Sequence, residues 1–124
     1  MSQNRVSSIQ TNLNDILPIL STMSSKTRRL SIEELREIVR PIAEKYRVNR
    51  VYLFGSVARG DYDENSDYDF CIEVGRIRTL LELSGFFLAL KEAVGNEIDI
   101  VEKEELENEF LETIMNESVE IYAQ

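Results

Sequence analysis

The sequence predicts an α/β fold: a small mixed sheet of three or four strands, with helices packed on one face and carboxylates exposed at one end. Three observations predict it. Short apolar runs of strand type, at 51–54, 70–72 and the alternating 97–101, are spaced between stretches with apolar residues three and four apart. Ser31-Ile32-Glu33-Glu34 is a capping-box signature in front of the first such stretch. Gly55-Ser56 follows one strand at once, and Asp67-Tyr68-Asp69 leads into the next, with ten residues between Ser56 and Asp67.

The elements follow in order. In residues 1–22, Ile9, Leu13, Ile16 and Leu20 recur at helical spacing, and Pro18 would kink or end a helix there. This segment reads as a loosely ordered tail, the alternative being a helix that docks on a partner or a second copy. Residues 21–26 are polar and serine-rich, a linker. Met23 is a second candidate start. Residues 1–30 thus form an extension, and 31–124 the domain.

Ile32, Leu35, Val39, Ile42 and Tyr46 make one face of a first helix, which Pro41 is expected to bend. Residues 47–49 turn into the strand at 50–54. A short helix is expected around 56–59. Val74-Gly75-Arg76 reads as a turn. Leu80, Leu83, Phe87, Leu90 and Val94 mark the next helix, ended by Gly95-Asn96. Leu81, Phe86 and Leu88 widen its apolar surface, so it is either a core helix or a partner-binding one. In the strand at 97–101, Ile98 and Ile100 point one way, Glu97 and Asp99 the other. Leu106, Phe110 and Ile114 mark a helix over about 104–116, and 119–122 adds a terminal strand.

Composition bounds the function. The chain has 124 residues, 43% apolar and 30% charged, which suits one core without a second substrate-binding domain. No apolar run reaches membrane-spanning length, and no signal peptide is expected. A single cysteine, Cys71, fits a cytoplasmic home. The net charge of −9 argues against direct nucleic-acid binding and for a basic protein partner. The lack of histidine excludes histidine metal sites, serine–histidine triads and histidine-dependent ribonuclease chemistry.

Asp67 and Asp69, two apart in an extended chain, share one face, with Tyr68 on the other. Two adjacent carboxylates repel unless one takes a proton or cations bind. Their hard oxygens suit magnesium or manganese. Gly55 lets backbone approach a phosphate, and its neighbours' N–H groups and the Ser56 hydroxyl can donate to phosphate oxygens. Asp99, alone on the polar face of its strand with Glu97 as runner-up, is the candidate third carboxylate.

Phe54-Gly55-Ser56-Val57-Ala58-Arg59-Gly60-Asp61, followed by Ser66-Asp67-Tyr68-Asp69-Phe70, resembles the signature of the DNA polymerase beta-type nucleotidyltransferase superfamily. In its fuller form it is similar to the minimal nucleotidyltransferases (MNT) of prokaryotes, which act as antitoxins paired with HEPN-domain ribonuclease toxins. The resemblance covers about residues 32 to 123. It implies the polymerase beta-like nucleotidyltransferase fold and two Mg2+ ions, with Mn2+ as an alternative, on Asp67, Asp69 and Asp99. It implies nucleotide binding by Gly55, Ser56 and Arg59, with ATP as substrate. The implied reaction is transfer of AMP to a hydroxyl, most often a tyrosine, of a HEPN toxin. The alternative is an antitoxin that neutralises by binding and occlusion alone. A stand-alone transferase acting on a small molecule is a third reading, disfavoured because no acceptor domain is present.

Each residue also has a plainer reading. Asp67 and Asp69 could be exposed turn residues, and Ser56 an N-cap. Arg59 could be an ion-pair partner of Asp61 or Asp63, and Asp99 could pair with a lysine. Asp61, Asp63 and Glu64 read as a solvated acidic loop, and Cys71 as a small packing residue.

Overall fold

The computed structural model describes residues 29–124. The candidate N-terminal helix, the linker and Met23 lie outside the described residues.

The first helix, α1 (Ile32–Tyr46), starts where the capping box places it. Glu34 N–H donates to Ser31 Oγ at 3.0 Å, and Ser31 N–H donates to Glu34 Oε1 at 2.8 Å. Two otherwise orphaned backbone donors are satisfied reciprocally. Helix α1 continues past Pro41 and ends at Arg47, in the left-handed region at φ 58°. Strand β1 (Arg50–Phe54) follows and runs straight into a short helix, α2 (Gly55–Arg59). Strand β2 (Tyr68–Glu73) comes after the acidic loop. Helix α3 (Leu80–Val94) has its own capping box from Thr79 and Glu82, and Gly95 closes it at φ 76°. Strand β3 (Ile98–Glu102), a 3-10 turn (Lys103–Glu105), helix α4 (Asn108–Glu117) and strand β4 (Val119–Ala123) complete the chain.

The strands form one mixed sheet in the order β3-β2-β1-β4. β1 is antiparallel to both β2 and β4, and β2 is parallel to β3. A parallel pair needs a crossover, and α3 supplies it. Leu35 and Val39 of α1, Phe86 and Leu90 of α3, and Val51, Leu53, Tyr68, Phe70 and Ile72 of the sheet share one buried core. Helices α1 and α3 therefore cover one face. Because strand side chains alternate, Asp69 projects from the other.

Two helices differ from the sequence reading. In α3 the buried residues are Phe86, Leu90 and Val94, while Leu80 is 78% exposed. Apolar residues surround this helix, so periodicity could not choose the inner face. Packing on α1 chose it: Phe86 meets Tyr46 edge-on, ring centroids 5.9 Å apart. Gly85 lies so close that a Cβ there would sit 2.8 Å from the Tyr46 hydroxyl. The stretch expected as one helix over 104–116 divides at Leu106, which is extended. Its N–H closes the 3-10 turn onto Lys103 O at 3.2 Å, and α4 begins two residues later. Ile114 is buried as expected, but Phe110 is exposed.

Candidate active site

The two central strands hold the motif. Phe54, the last residue of β1, pairs with Asp69 of β2, so the turn after β1 passes directly over the Asp69 carboxylate. This explains Gly55. Its φ of +78° favours glycine, and a Cβ there would overlap Asp69 Oδ2. Asp69 pairs in turn with Asp99 across the parallel β2–β3 ladder. Asp67 immediately precedes β2 and is exposed, Asp69 is half-buried, and Asp99 is exposed.

The Asp69 carboxyl is pushed above the usual aspartate range. Burial is the largest cause, followed by repulsion from Asp99, Asp67 and Glu117, with Arg59 opposing. Three acids therefore act on one carboxyl group. A carboxylate held in such a field gains from a bound cation. The donor set of hard oxygens fits magnesium or manganese. Among the described residues, however, no three acidic side chains are drawn tightly enough together to hold a metal ion as they stand.

Glu97, the runner-up for third carboxylate, is engaged elsewhere. Its side chain pairs with Lys91 Nζ at 3.3 Å, and its carbonyl accepts from Tyr68 N–H at 3.1 Å. Asp99 is thus the β3 acid that stands beside Asp69.

Around the Gly-Ser turn the structure separates the plainer readings of Ser56 and Arg59. Ser56 is the second residue of α2 and not its N-cap, a position that falls to Phe54. Arg59 donates from Nε to Asp61 Oδ2 and from Nη1 to Glu117 Oε1, each at 3.1 Å. These hydrogen bonds, Asp61 first, raise its pKa further. The ion pair with Asp61 is therefore present, while Asp63 has another role. Gly55 N–H donates to Glu117 Oε2 at 2.8 Å.

The acidic loop is exposed but ordered by its own hydrogen bonds. Asp63 Oδ1 accepts from Asn65 N–H at 2.8 Å, and Ser66 Oγ accepts from Asp63 N–H at 3.0 Å. Arg29 clasps this loop from outside the motif. Its Nη2 donates to the carbonyls of Asp63 and Ser66, and its guanidinium lies over Tyr62 and Tyr68, 5.2 and 4.9 Å from the ring centroids. Leu30 N–H donates to the buried Tyr68 hydroxyl at 2.9 Å. Cys71, on the Asp69 side of β2, is fully buried, and desolvation pushes its thiol up to about 11. That suits a packing residue.

Sequence reasoning missed Arg29 and Glu117. Arg29 sits in a basic run before α1, a weak signal. Glu117 is one of several acids along α4, and nothing in the sequence separates it from the others.

Beside Asp99, a cleft of about 220 Å³ opens between α3 and β3, with Leu80, Leu83, Phe87 and Ile100 among its walls. No helix among the described residues is long and apolar enough to cross a membrane.

Comparison with known proteins fits this geometry. Residues 32–121 match the model of the nucleotidyltransferase domain family. A candidate protein adenylyltransferase of Methanocaldococcus jannaschii is 33% identical over 92 residues, 74% of this chain and 99% of its own. A solved candidate minimal nucleotidyltransferase superposes with a TM-score of 0.63 at 34% identity, over 73% of this chain and 95% of its own. A chain from a complex of tri-AMPylated HEPN toxin with MNT antitoxin, from Shewanella oneidensis, superposes with a TM-score of 0.57. At 11% identity, over 76% of this chain and 74% of its own, that likeness speaks for the fold alone. With its motif strands, its Gly-Ser turn and the family match over most of its length, this chain belongs to the nucleotidyltransferase family and has the nucleotidyltransferase fold.

Proposed function

We propose that this nucleotidyltransferase is the antitoxin of a HEPN/MNT-type pair, and that it transfers AMP from ATP to a hydroxyl, in our reading a tyrosine, of its cognate HEPN toxin. The observation that carries the reading is the in-register pairing of Asp69 with Asp99 beside the Gly55 turn. The 33%-identical relative that carries a protein adenylyltransferase's name supports the chemistry.

In this mechanism Asp67, Asp69 and Asp99 would hold divalent cations. Such cations, when bound, neutralise the triphosphate and lower the pKa of the acceptor hydroxyl. Gly55 N–H, the Ser56 hydroxyl and Arg59 bind phosphate oxygens of the incoming nucleotide. Asp99 orients the acceptor hydroxyl on the sheet face that it shares with Asp69. The hydroxyl oxygen forms a bond to the α-phosphorus, the bond from that phosphorus to pyrophosphate breaks, and the hydroxyl proton leaves past Asp99 to solvent. Catalysis is chiefly positioning and charge stabilisation. The reaction takes place in the cytoplasm.

The test is the intact mass of the HEPN toxin after incubation with this protein, ATP and magnesium. Mass gains in steps of one AMP, absent with Asp69→Asn, are the expected result. Neutralisation by occlusion is a second reading, favoured by the exposed apolar side chains Leu80, Leu81 and Leu88 of α3, which suit a partner surface. An unmodified toxin in a tight, inactive complex, formed equally well by Asp69→Asn, would select it.

A further inference from the structure

Glu117 takes up two of the groups that the proposed function assigns to the nucleotide. One of its carboxylate oxygens accepts from Gly55 N–H at 2.8 Å and the other from Arg59 Nη1 at 3.1 Å. Arg59 Nε is meanwhile held by Asp61. One carboxylate thus occupies both donors at once. It also stands near Asp69, which repels it. A carboxylate placed against like charge is kept there by its donors, and here these are the turn N–H and the guanidinium.

We propose that Glu117 is a resident anion in the phosphate cradle, a competitor built into the chain that a nucleotide triphosphate must displace to bind. This rests on the reading of Gly55 and Arg59 as phosphate donors. One backbone N–H has a single hydrogen and cannot serve Glu117 and a phosphate oxygen equally well. Displacement is mechanically simple. Glu117 is the last residue of α4, its side chain is already 24% exposed, and a change of rotamer returns it to water. The nucleotide's affinity is reduced by the fraction of molecules in which Glu117 occupies the cradle. Glu117 is thus an affinity-setting residue rather than a catalytic one, and it couples the end of α4 to the nucleotide site.

The test is binding, without turnover, of a nonhydrolysable ATP analogue (α,β-methylene-ATP with magnesium) by calorimetry on the full chain. Glu117→Ala empties the cradle, and Glu117→Gln keeps a neutral acceptor for Gly55 N–H, which guards against loss of fold. Glu112→Gln removes the same charge from an exposed position on the same helix. An exposed carboxylate–guanidinium pair of this kind predicts binding about fivefold tighter in Glu117→Ala, with Glu117→Gln between it and wild type and Glu112→Gln unchanged. Equal affinity in all four proteins overturns the competitor role while leaving the nucleotide site intact. Weaker binding in the Glu117 variants also overturns it, and makes Glu117 a builder of the cradle. No binding by any of them overturns the underlying reading of the cradle, and this proposal with it.

Discussion

Asp69 and Asp99 stand opposite one another on neighbouring parallel strands, thirty positions apart in sequence and in direct register. Their side chains leave the sheet on the face that α1 and α3 do not cover. If Asp99 orients the acceptor, Asp99→Asn lowers the rate of AMP transfer at least about a hundredfold, the scale seen when one preorganised charge-stabilising group is removed. The Kd for the nonhydrolysable nucleotide should change much less. Single-turnover kinetics beside a binding titration separates the two.

The raised pKa of Asp69 has a consequence for stability. Its folded-state value lies above the ordinary 3.8, so between the two the folded protein binds more protons than the unfolded one. Stability therefore falls as pH rises through that window, and the ionised carboxylate is a standing cost above it. Asp69→Asn should melt higher than wild type at pH 7 although it abolishes transfer. The difference should shrink as pH falls through the folded-state value towards 3.8. Melting curves across that range check it, and a lower melting temperature at pH 7 would refute it.

Gly55→Ala meets two obstacles together, a backbone at φ +78° and the Asp69 carboxylate in the path of the new Cβ. We expect a loss of about 2 kcal/mol in unfolding free energy, of the order that such backbone strain costs, and loss of transfer. Gly60 has φ +88° but nothing within 4 Å of its Cβ position. Gly60→Ala should then be destabilised by strain alone and keep more activity. Denaturant titration of the two variants makes the comparison.

Arg29 holds the loop that delivers Asp67, through two carbonyls and two aromatic rings. Arg29→Ala should cost about 1 kcal/mol of stability, the scale of a cation–π contact or a hydrogen bond. It should also lower kcat by about tenfold by loosening Asp67. Arg29→Lys should not restore the rate, because an ammonium lacks the planar fork that reaches Asp63 and Ser66 while lying over the rings. Full rescue by lysine would reduce Arg29 to a point charge.

Much of the fold was legible because its signals are local. Ser31 and Glu34, and Gly95, marked helix ends that the structure has at those places. Helix α3 was legible as a helix but not in its orientation, since Leu81, Phe86 and Leu88 widened the stripe of Leu80, Leu83, Phe87, Leu90 and Val94, and packing against Tyr46 turned Phe86 inward. The break at Leu106 was hidden because a helical spacing of Leu106, Phe110 and Ile114 survives an interrupted backbone.

For the site, the sequence by itself determined the Gly55-Ser56 turn, the spacing to Asp67 and Asp69, and the family those residues signal. All of this lies in one strand–turn–strand segment, where the two-residue period of strands and the demands of a tight turn act between near neighbours. The sequence also named Asp99, with Glu97 as runner-up, but only the tertiary structure decided that Asp99 stands in register with Asp69, that Arg29 clasps the loop before Asp67, and that Glu117 reaches Gly55 across 62 positions. Those pairings depend on strand register and on where α4 packs. Neither is encoded by the residues that meet, because they follow from how the whole core closes.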